Sequence, residues 1–197
     1  MTSRQRRFEA VFRTLGSSGR GSFYRSIPLR FQATPLSAIG SIDTGGRYNP
    51  LGAFEILYIG ENPDTVTREV RMMVSDSSGR IVSAQNAPRI QMTINWGFQR
   101  IADLTDSDVR KRLRVTLKDL LAEWTDLVDA GIVPVTHVIG AAARDAGIEA
   151  LVVPSARHKG HKNMAVIYDC LLKGSFVEIH DPSGFAAGTT TRIEGKL

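Results

Sequence analysis

The sequence predicts an α+β domain, because short β-prone runs and helices with recognisable ends occur together along one chain. The chain has 197 residues, of which 42% are hydrophobic, so it is long enough to bury a substantial core. At this length one domain is favoured over two. No internal repeat of solenoid period is present. We therefore expect one compact α+β domain.

The first 21 residues form a basic N-terminal segment. Residues 5–15 have the spacing of a short amphipathic helix, and the glycines and serines at 16–19 end it. One side of that helix is apolar and carries Phe8, Val11, Phe12 and Leu15. Four arginines cluster in the first 13 residues of the segment, namely Arg4, Arg6, Arg7 and Arg13. We expect this segment to precede a domain of residues 22–181, and residues 182–197 to be a flexible C-terminal tail or a peripheral extension.

Residues 23–31 are interpreted as an extended segment that carries Arg25 between apolar neighbours. Arg25 suits either an ordinary position on an edge strand or a binding role. The chain from Gln32 to Gly46 is rich in small residues and is predicted to be a surface loop. The apolar run Ile56–Ile59, which contains Tyr58, is typical of a buried strand.

A helix is predicted from Asn62 to about Met73. Asn62 is a good N-cap, and Pro63 suits the first helical position. Apolar residues at helical spacing define its buried face, namely Val66, Val70 and Met73. Glu69 lies on or beside that face. A carboxylate in apolar surroundings costs several kcal/mol unless it is paired or used, so Glu69 is either half of a structural salt bridge or a functional group.

Apolar patterning predicts the remaining elements. Residues 76–87 are expected to be an exposed loop, and residues 89–98 a half-buried strand. One helix is expected from Thr105 to about Ala130, where Gly131 stops it. Its apolar stripe is assigned to the core and comprises Leu113, Leu117, Leu120, Leu121, Trp124, Leu127 and Val128. A further helix is predicted at 134–146, and further strands at 148–154, 164–169 and 176–181.

The net charge of +5 and the pI near 9.7 favour anionic partners such as nucleic acid, phosphates or an acidic protein. The basic residues at 110–114, like those of the N-terminal segment, also suit a solvated surface. No apolar run approaches the roughly 20 residues that a membrane helix needs. The N-terminus lacks a secretory signal, and the single cysteine, Cys170, has no partner within the chain. We expect a soluble protein of the reducing cytoplasm that does not bind a membrane.

The strand at 148–154 leads to Ser155 and a loop rich in histidine and lysine. A serine here suits an ordinary turn or a contact to a phosphate or a ribose hydroxyl. A nucleophilic serine is not supported, because the G-x-S-x-G pattern is absent. His158 and His161 lack a third ligand at a sensible spacing, so no metal is expected. No P-loop, dinucleotide-binding fingerprint or zinc finger is present.

Three stretches, taken in order, resemble the RES domain, which is named for an arginine, a glutamate and a serine. The stretches are GGRYNPLG, LYIGENPDTVTREV and GIEALVVPSARHKGHKNMAVIYD. RES domains are the toxins of Xre–RES type II toxin–antitoxin pairs, and the resemblance spans roughly residues 22–181. It assigns catalytic roles to Arg47, Tyr58, Glu69 and Ser155, and NAD+ binding to Arg25, Tyr48 and Asn163. The family usually has tryptophan at the position of Tyr48.

The resemblance implies an ADP-ribosyltransferase-like fold, with a mixed β-sheet core and flanking helices. It implies that NAD+ is the substrate, that no cofactor is needed, and that growth stops as cellular NAD+ is depleted. Cleavage of the nicotinamide–ribose bond develops oxocarbenium character, which Glu69 would stabilise, with water or phosphate as the acceptor. Arg47 and Arg25 would hold the pyrophosphate. Tyr58 would stack on nicotinamide or orient it. Ser155 would form a hydrogen bond with the ribose that carries the nicotinamide.

The resemblance also implies an Xre-type helix-turn-helix antitoxin as partner, and contact with nucleic acid only through that antitoxin. Other functions stay open at this point. One alternative uses the same chemistry but transfers ADP-ribose to a cellular protein. The excess of basic residues suggests nucleic-acid binding or RNA cleavage, although no aromatic residues interleave with the basic residues of 110–114. A catalytically silent partner of an antitoxin is the third alternative.

Overall fold

The computed structural model describes residues 1–70, 73–75, 81–83, 88–181, 183 and 188–197, and for residues 73–75 and 81–83 it describes the backbone. The helices are α1 (Ser3–Arg13), α2 (Gly40–Thr44), α3 (Pro63–Val70), α4 (Ser107–Leu113), α5 (Leu117–Leu121), α6 (Trp124–Asp129) and α7 (Val135–Asp145). The strands are β1 (Ser17–Pro28), β2 (Ile56–Gly60), β3 (Met73–Ser75), β4 (Ile81–Ser83), β5 (Arg89–Asp103), β6 (Ala150–Pro154), β7 (Lys162–Ile167), β8 (Phe176–Ile179) and β9 (Arg192–Glu194). This content confirms the predicted α+β class.

Seven strands form one mixed sheet in the order β1-β2-β7-β6-β5-β8-β9. β5 and β6 run parallel, whereas the other neighbours run antiparallel. β5 also pairs with β1, from Ser17 opposite Ile101 to Pro28 opposite Arg89. This pairing closes β1, β2, β7, β6 and β5 into a ring, so these strands have partners on both sides. β3 and β4 pair separately.

The central strands β2, β6 and β7 are mostly apolar, as expected for strands with both faces buried. In β2, Ile56 and Tyr58 face one core cluster, whereas Leu57 and Ile59 face another. The same alternation continues in β6 and β7. Apolar side chains of α1, α4, α5 and α7 complete the first cluster. Tyr58 is therefore placed on the helix-covered side of the sheet.

The single helix predicted from Thr105 to Ala130 is wrong, since this segment folds as α4, α5 and α6. Arg114 adopts a left-handed φ of 55° and ends α4. Thr116 and Asp119 then form a capping box that starts α5. The predicted apolar stripe is divided as a result: Leu113 and Leu120 are in the core, whereas Leu117, Leu121 and Val128 are exposed.

The two chain ends differ from expectation. Helix α1 places Phe8 and Phe12 in the core with no exposed surface, so residues 1–21 are not a segment ahead of the fold. At the other end, β9 pairs with β8 and extends the sheet, so the segment expected to be a flexible tail includes a strand. Residues 182 and 184–187 lie outside the described part of the chain.

Around residue 70 the chain leaves the helix earlier than predicted. Helix α3 ends at Val70, and Met73, which was assigned to the helix, begins β3. The loop predicted at 76–87 contains β4, and the rest of that prediction lies outside the described residues. The remaining predicted elements are confirmed with shifted ends, namely the strands at 56–59, 89–98, 148–154, 164–169 and 176–181 and the helix at 134–146.

Glu149 is a fully buried carboxylate that links strand β5 to the chain segment before β8. It accepts hydrogen bonds from the main-chain N–H groups of Gln99 (2.6 Å), Arg100 (2.7 Å) and Leu172 (3.0 Å). A buried charge is tolerated only when it is well hydrogen-bonded. The three amides meet that requirement, so Glu149 is a structural residue.

Helix α7 approaches the loop of residues 45–49 so closely that one position must lack a side chain. A Cβ added at Gly140 would lie 1.7 Å from the carbonyl oxygen of Tyr48. Glycine at this position therefore allows the helix and the loop to pack backbone to backbone.

We expect Gly140→Ala to lower the free energy of unfolding by about 1–3 kcal/mol or more, because the new methyl group must displace the loop or the helix. Gly40→Ala is the matched control, since Gly40 is also helical and a Cβ there meets nothing within 4 Å. Thermal and urea unfolding of both variants provide the measurement. Equal stability of Gly140→Ala and the native protein would contradict the close packing.

Candidate functional site

A cavity of about 750 Å³ lies between β1, β2, α3 and the start of α6. Six of the seven residues predicted for the site line it, namely Arg25, Arg47, Tyr48, Tyr58, Glu69 and Asn163. The seventh, Ser155, is 4% exposed and hydrogen-bonds to Glu69. The fold thus gathers all seven side chains, which come from distant parts of the sequence.

Glu69 reaches the cavity from α3, and one of its carboxylate oxygens is held by two side chains. Ser155 Oγ donates to Oε1 over 2.6 Å, and Asn163 Nδ2 donates to the same oxygen over 2.7 Å. Among the described residues, no lysine or arginine pairs with Glu69 and no group donates to Oε2. The carboxylate is therefore fixed through one oxygen, and the other is available to a ligand.

Ser155 is tied to the helix that carries Glu69. Its Oγ accepts a hydrogen bond from the main-chain N–H of His158 (2.9 Å) while donating to Glu69. The Nδ1 atom of His158 lies 2.9 Å from Thr65 Oγ1 at the start of α3. Because the serine proton is directed to a carboxylate in a structural contact, the geometry suits a positioning role for Ser155.

The two loop histidines form a second contact to the same helix. The rings of His158 and His161 stack with centroids 3.7 Å apart. His161 Nδ1 contacts the Glu61 carboxylate and lies 3.2 Å from the amide nitrogen of Asn62. Asn62 is confirmed as the N-cap of α3, because its Oδ1 accepts from the N–H of Thr65 (2.8 Å). Within the described ranges, no three metal-ligating side chains gather as a metal site would need.

Tyr58 holds the loop of residues 45–49 through its hydroxyl. That hydroxyl accepts from the N–H of Tyr48 (3.0 Å) and donates to Asn49 Oδ1 (2.9 Å). Asn49 is fully buried, and its amide donates to two main-chain carbonyls. Burial raises the pKa of Tyr58 above its usual range, so the hydroxyl stays protonated. Tyr58 thereby fixes the loop that carries Arg47.

Arg47 is anchored to the end of α5. Its Nη1 donates to the carbonyls of Leu120 (3.2 Å) and Ala122, and its Nη2 lies 3.9 Å from Glu123 Oε1. The side chain is 14% exposed. These contacts leave part of the guanidinium for an anion in the cavity.

Arg25 is held in a similar way from β1. It donates to the carbonyls of Tyr58 (3.2 Å) and Ser37 (2.9 Å). Its Nε is buried without a hydrogen-bond partner among the described residues. Burial lowers the pKa of Arg25, but an arginine stays charged at neutral pH. Because β1 pairs with β2 and β5, Arg25 is not on an edge strand.

Tyr48 carries a buried hydroxyl that has no hydrogen-bond partner among the described residues. The side chain is 1% exposed, and burial raises its pKa above the usual range. A buried hydroxyl without a partner costs about 1–3 kcal/mol. The Tyr48 hydroxyl is thus a buried donor and acceptor without a partner among the described residues, carried by a residue that lines the cavity.

The cavity-lining residues that sequence reasoning missed include Glu123, Trp124 and Arg157. Trp124 was assigned to the core because it continues an apolar stripe. Arg157 lies two residues after Ser155, which is a local signal. Glu123 has no local signal, since its bond to Arg157 joins residues 34 positions apart.

His137 supports the loop from α7. It is 6% exposed, and its Nε2 donates to the Gly46 carbonyl over 2.9 Å. Its ring also packs on Trp124, with centroids 5.5 Å apart. Burial lowers the pKa of His137, and the hydrogen bond to Gly46 opposes this shift. The native state therefore favours the neutral imidazole.

The lowered pKa of His137 predicts a pH dependence of stability. As pH falls below the pKa of unfolded histidine, the unfolded chain binds a proton that the native state does not, so the free energy of unfolding decreases. His137→Gln keeps an amide donor for Gly46 but does not titrate. Urea unfolding between pH 7.5 and 5 should show a steeper loss for the native protein than for this variant. Parallel curves would contradict the assignment, since all other titrating groups are shared.

Two observations concern parts of the chain outside the cavity. Cys170 is a buried free thiol whose pKa burial raises to about 11, which disfavours the reactive thiolate. Within the described residues, the helices are too short or too polar to cross a membrane.

Comparison with known proteins identifies the family. No curated protein matches the sequence. The fold is similar to that of a chain in the crystal structure of the M. tuberculosis MbcT–MbcA toxin–antitoxin complex, with a TM-score of 0.63 and 21% sequence identity. The similarity covers 83% of this chain and 80% of that chain. The family model of the RES domain matches residues 22–181, most of the sequence, and the chain therefore belongs to the RES domain family.

Proposed function

We propose that this chain is the toxin of a toxin–antitoxin pair and that it cleaves the nicotinamide–ribose bond of NAD+. The observation that carries the proposal is Glu69, whose carboxylate is oriented by Ser155 and Asn163 and retains an open oxygen at the cavity. Membership of the RES domain family supports the same reading.

In the proposed reaction the bond between ribose C1′ and the nicotinamide nitrogen breaks. The electron pair leaves with nicotinamide and neutralises its pyridinium ring, while positive charge develops on C1′ and the ring oxygen. A carboxylate that is already fixed stabilises this charge without reorganisation at the moment of reaction. Water, phosphate or a protein side chain then bonds to C1′, and a protonated acceptor such as water releases its proton to solvent.

The other cavity residues divide the rest of the dinucleotide between them. Arg47 and Arg25 bind the pyrophosphate through the donors that the main chain leaves free. Tyr58 offers a ring to nicotinamide, since its hydroxyl is engaged elsewhere. Ser155 is buried beside the cavity and orients the Glu69 carboxylate through its hydroxyl proton. Asn163 keeps Glu69 in place.

The proposed partner is a cognate antitoxin, by analogy with the toxin–antitoxin complex that shares the fold. We expect a helix-turn-helix protein of the Xre type, with nucleic acid contacted through it. A cytoplasmic setting follows from NAD+ as the substrate. Coexpression of the chain with the product of a neighbouring helix-turn-helix gene tests this partnership by restoring growth and by copurification.

Glu69→Gln should lower kcat for nicotinamide release by about a hundredfold or more, because the amide cannot stabilise the developing positive charge. Ser155→Ala should lower it by about tenfold, since Glu69 loses one of its two orienting hydrogen bonds. Asp129→Asn, at the exposed end of α6, is the control for the loss of one negative charge. Free nicotinamide is measured with NAD+ as substrate. The variants are compared only where their melting temperatures equal that of the native protein.

The acceptor is varied in the same assay, with buffer alone, with phosphate and with cell lysate. Label from NAD+ on a protein band would indicate ADP-ribose transfer instead of NAD+ depletion. The proposal is contradicted if, under every condition, the native protein releases no more nicotinamide than Glu69→Gln does.

Tyr48→Phe separates ligand binding from stability. Removal of an unpaired buried hydroxyl should leave the melting temperature unchanged or raise it, whereas the KM for NAD+ should rise by about two- to tenfold. Steady-state kinetics and thermal unfolding of the same preparation provide the two readings. An unchanged KM would mean that this hydroxyl does not contact the substrate.

A further inference from the structure

Glu123 lies between two arginines on the cavity wall. Its Oε2 accepts from Arg157 Nη2 over 2.9 Å, and its Oε1 lies 3.9 Å from Arg47 Nη2. Thr125 Oγ1 also donates to Oε1, at 3.4 Å. All four residues line the cavity. A carboxylate with one oxygen toward each guanidinium has the negative charge and the acceptor pattern that a bound phosphate group would offer there.

The ion pair that holds Glu123 is open to exchange. The side chains of Glu123 and Arg157 are 35% and 50% exposed, and pairs with this exposure are weak because water competes for both charges. The main chain at this point is anchored separately, since Arg47 donates to the Ala122 carbonyl. Rotation of the Glu123 side chain alone is therefore enough to free the two guanidiniums.

We propose that Glu123 occupies a phosphate-binding subsite formed by Arg47 and Arg157, and that an incoming phosphate group displaces it. Arg157 is then a substrate-binding residue, and Glu123 sets the affinity of the subsite by competing with the ligand. The subsite takes a doubly charged phosphate or pyrophosphate group, either from a dinucleotide or free in solution. The placement of a dinucleotide there depends on the proposed function, whereas binding of the free anion does not.

The proposal predicts that the subsite binds phosphate groups more tightly when the negative charge of Glu123 is removed. Glu123→Gln keeps acceptor oxygen and shape but loses the competing charge, so inorganic pyrophosphate should bind about two- to fivefold more tightly. A residue with a purely structural role would give the same affinity or a weaker one. Arg157→Gln should weaken binding, and the double variant should bind no better than Arg157→Gln.

Asp129→Asn is the matched control, because it removes the same charge at the far, exposed end of α6 and should leave affinity unchanged. Isothermal titration at fixed ionic strength is run with inorganic pyrophosphate and separately with inorganic phosphate. If Glu123→Gln binds both phosphate and pyrophosphate more tightly than the native protein, the subsite accepts the free phosphate anion. If only pyrophosphate binds more tightly, the subsite is specific for a diphosphate. Thermal unfolding verifies that each variant is folded.

Kinetics with NAD+ form an independent arm, in which Glu123→Gln should lower KM with little change in kcat. If the native protein does not release nicotinamide but the titrations behave as expected, the proposed function fails and the subsite stands. Unchanged or weaker pyrophosphate binding by Glu123→Gln overturns the subsite, as does the absence of measurable binding to this variant. An equal gain from Asp129→Asn would reduce the effect to net charge and also overturn it.

Discussion

The cavity depends on one constraint: the loop of residues 45–49 is buried, so its polar groups must be satisfied from within the protein. The Tyr58 hydroxyl, the Asn49 amide and the His137 ring meet this requirement. Space is equally restricted, since a Cβ added at Gly46 would lie 2.7 Å from the Tyr58 hydroxyl. The loop thus has one arrangement compatible with burial, and that arrangement positions Arg47 and the Tyr58 ring on the same wall.

Two glutamates show how hydrogen bonding distinguishes a structural carboxylate from the one proposed to be catalytic. Glu149 has no exposed surface, and three main-chain N–H groups occupy both of its oxygens. Glu69 receives two hydrogen bonds on one oxygen, from side chains, and lines a cavity. A carboxylate saturated by the backbone has no capacity left for a ligand, whereas one that is fixed but half-satisfied is prepared to stabilise positive charge. Sequence pattern drew attention to Glu69 and gave no signal for Glu149.

Local signals predicted what local forces determine. The strand at 56–59 and the N-cap at Asn62 follow from a few neighbouring residues, and both are present. The division of residues 105–130 into three helices depends on the left-handed conformation of Arg114. An apolar stripe conceals such a break, because its periodicity continues through it. The pairing of β1 with β5 and the contact of Glu123 with Arg157 join residues far apart in sequence, so no local pattern reports them.

An acidic residue within an anion site has a physical rationale. Two guanidiniums that converge on one point repel each other, and Arg47 is largely withdrawn from water, which would otherwise screen the repulsion. Glu123 offsets that repulsion when no ligand is bound, so the arginines keep the spacing and orientation that a phosphate group needs. Binding then exchanges one anion for another rather than assembling the site anew. This lowers the reorganisation that association must overcome, although the carboxylate that preserves the geometry also limits the affinity.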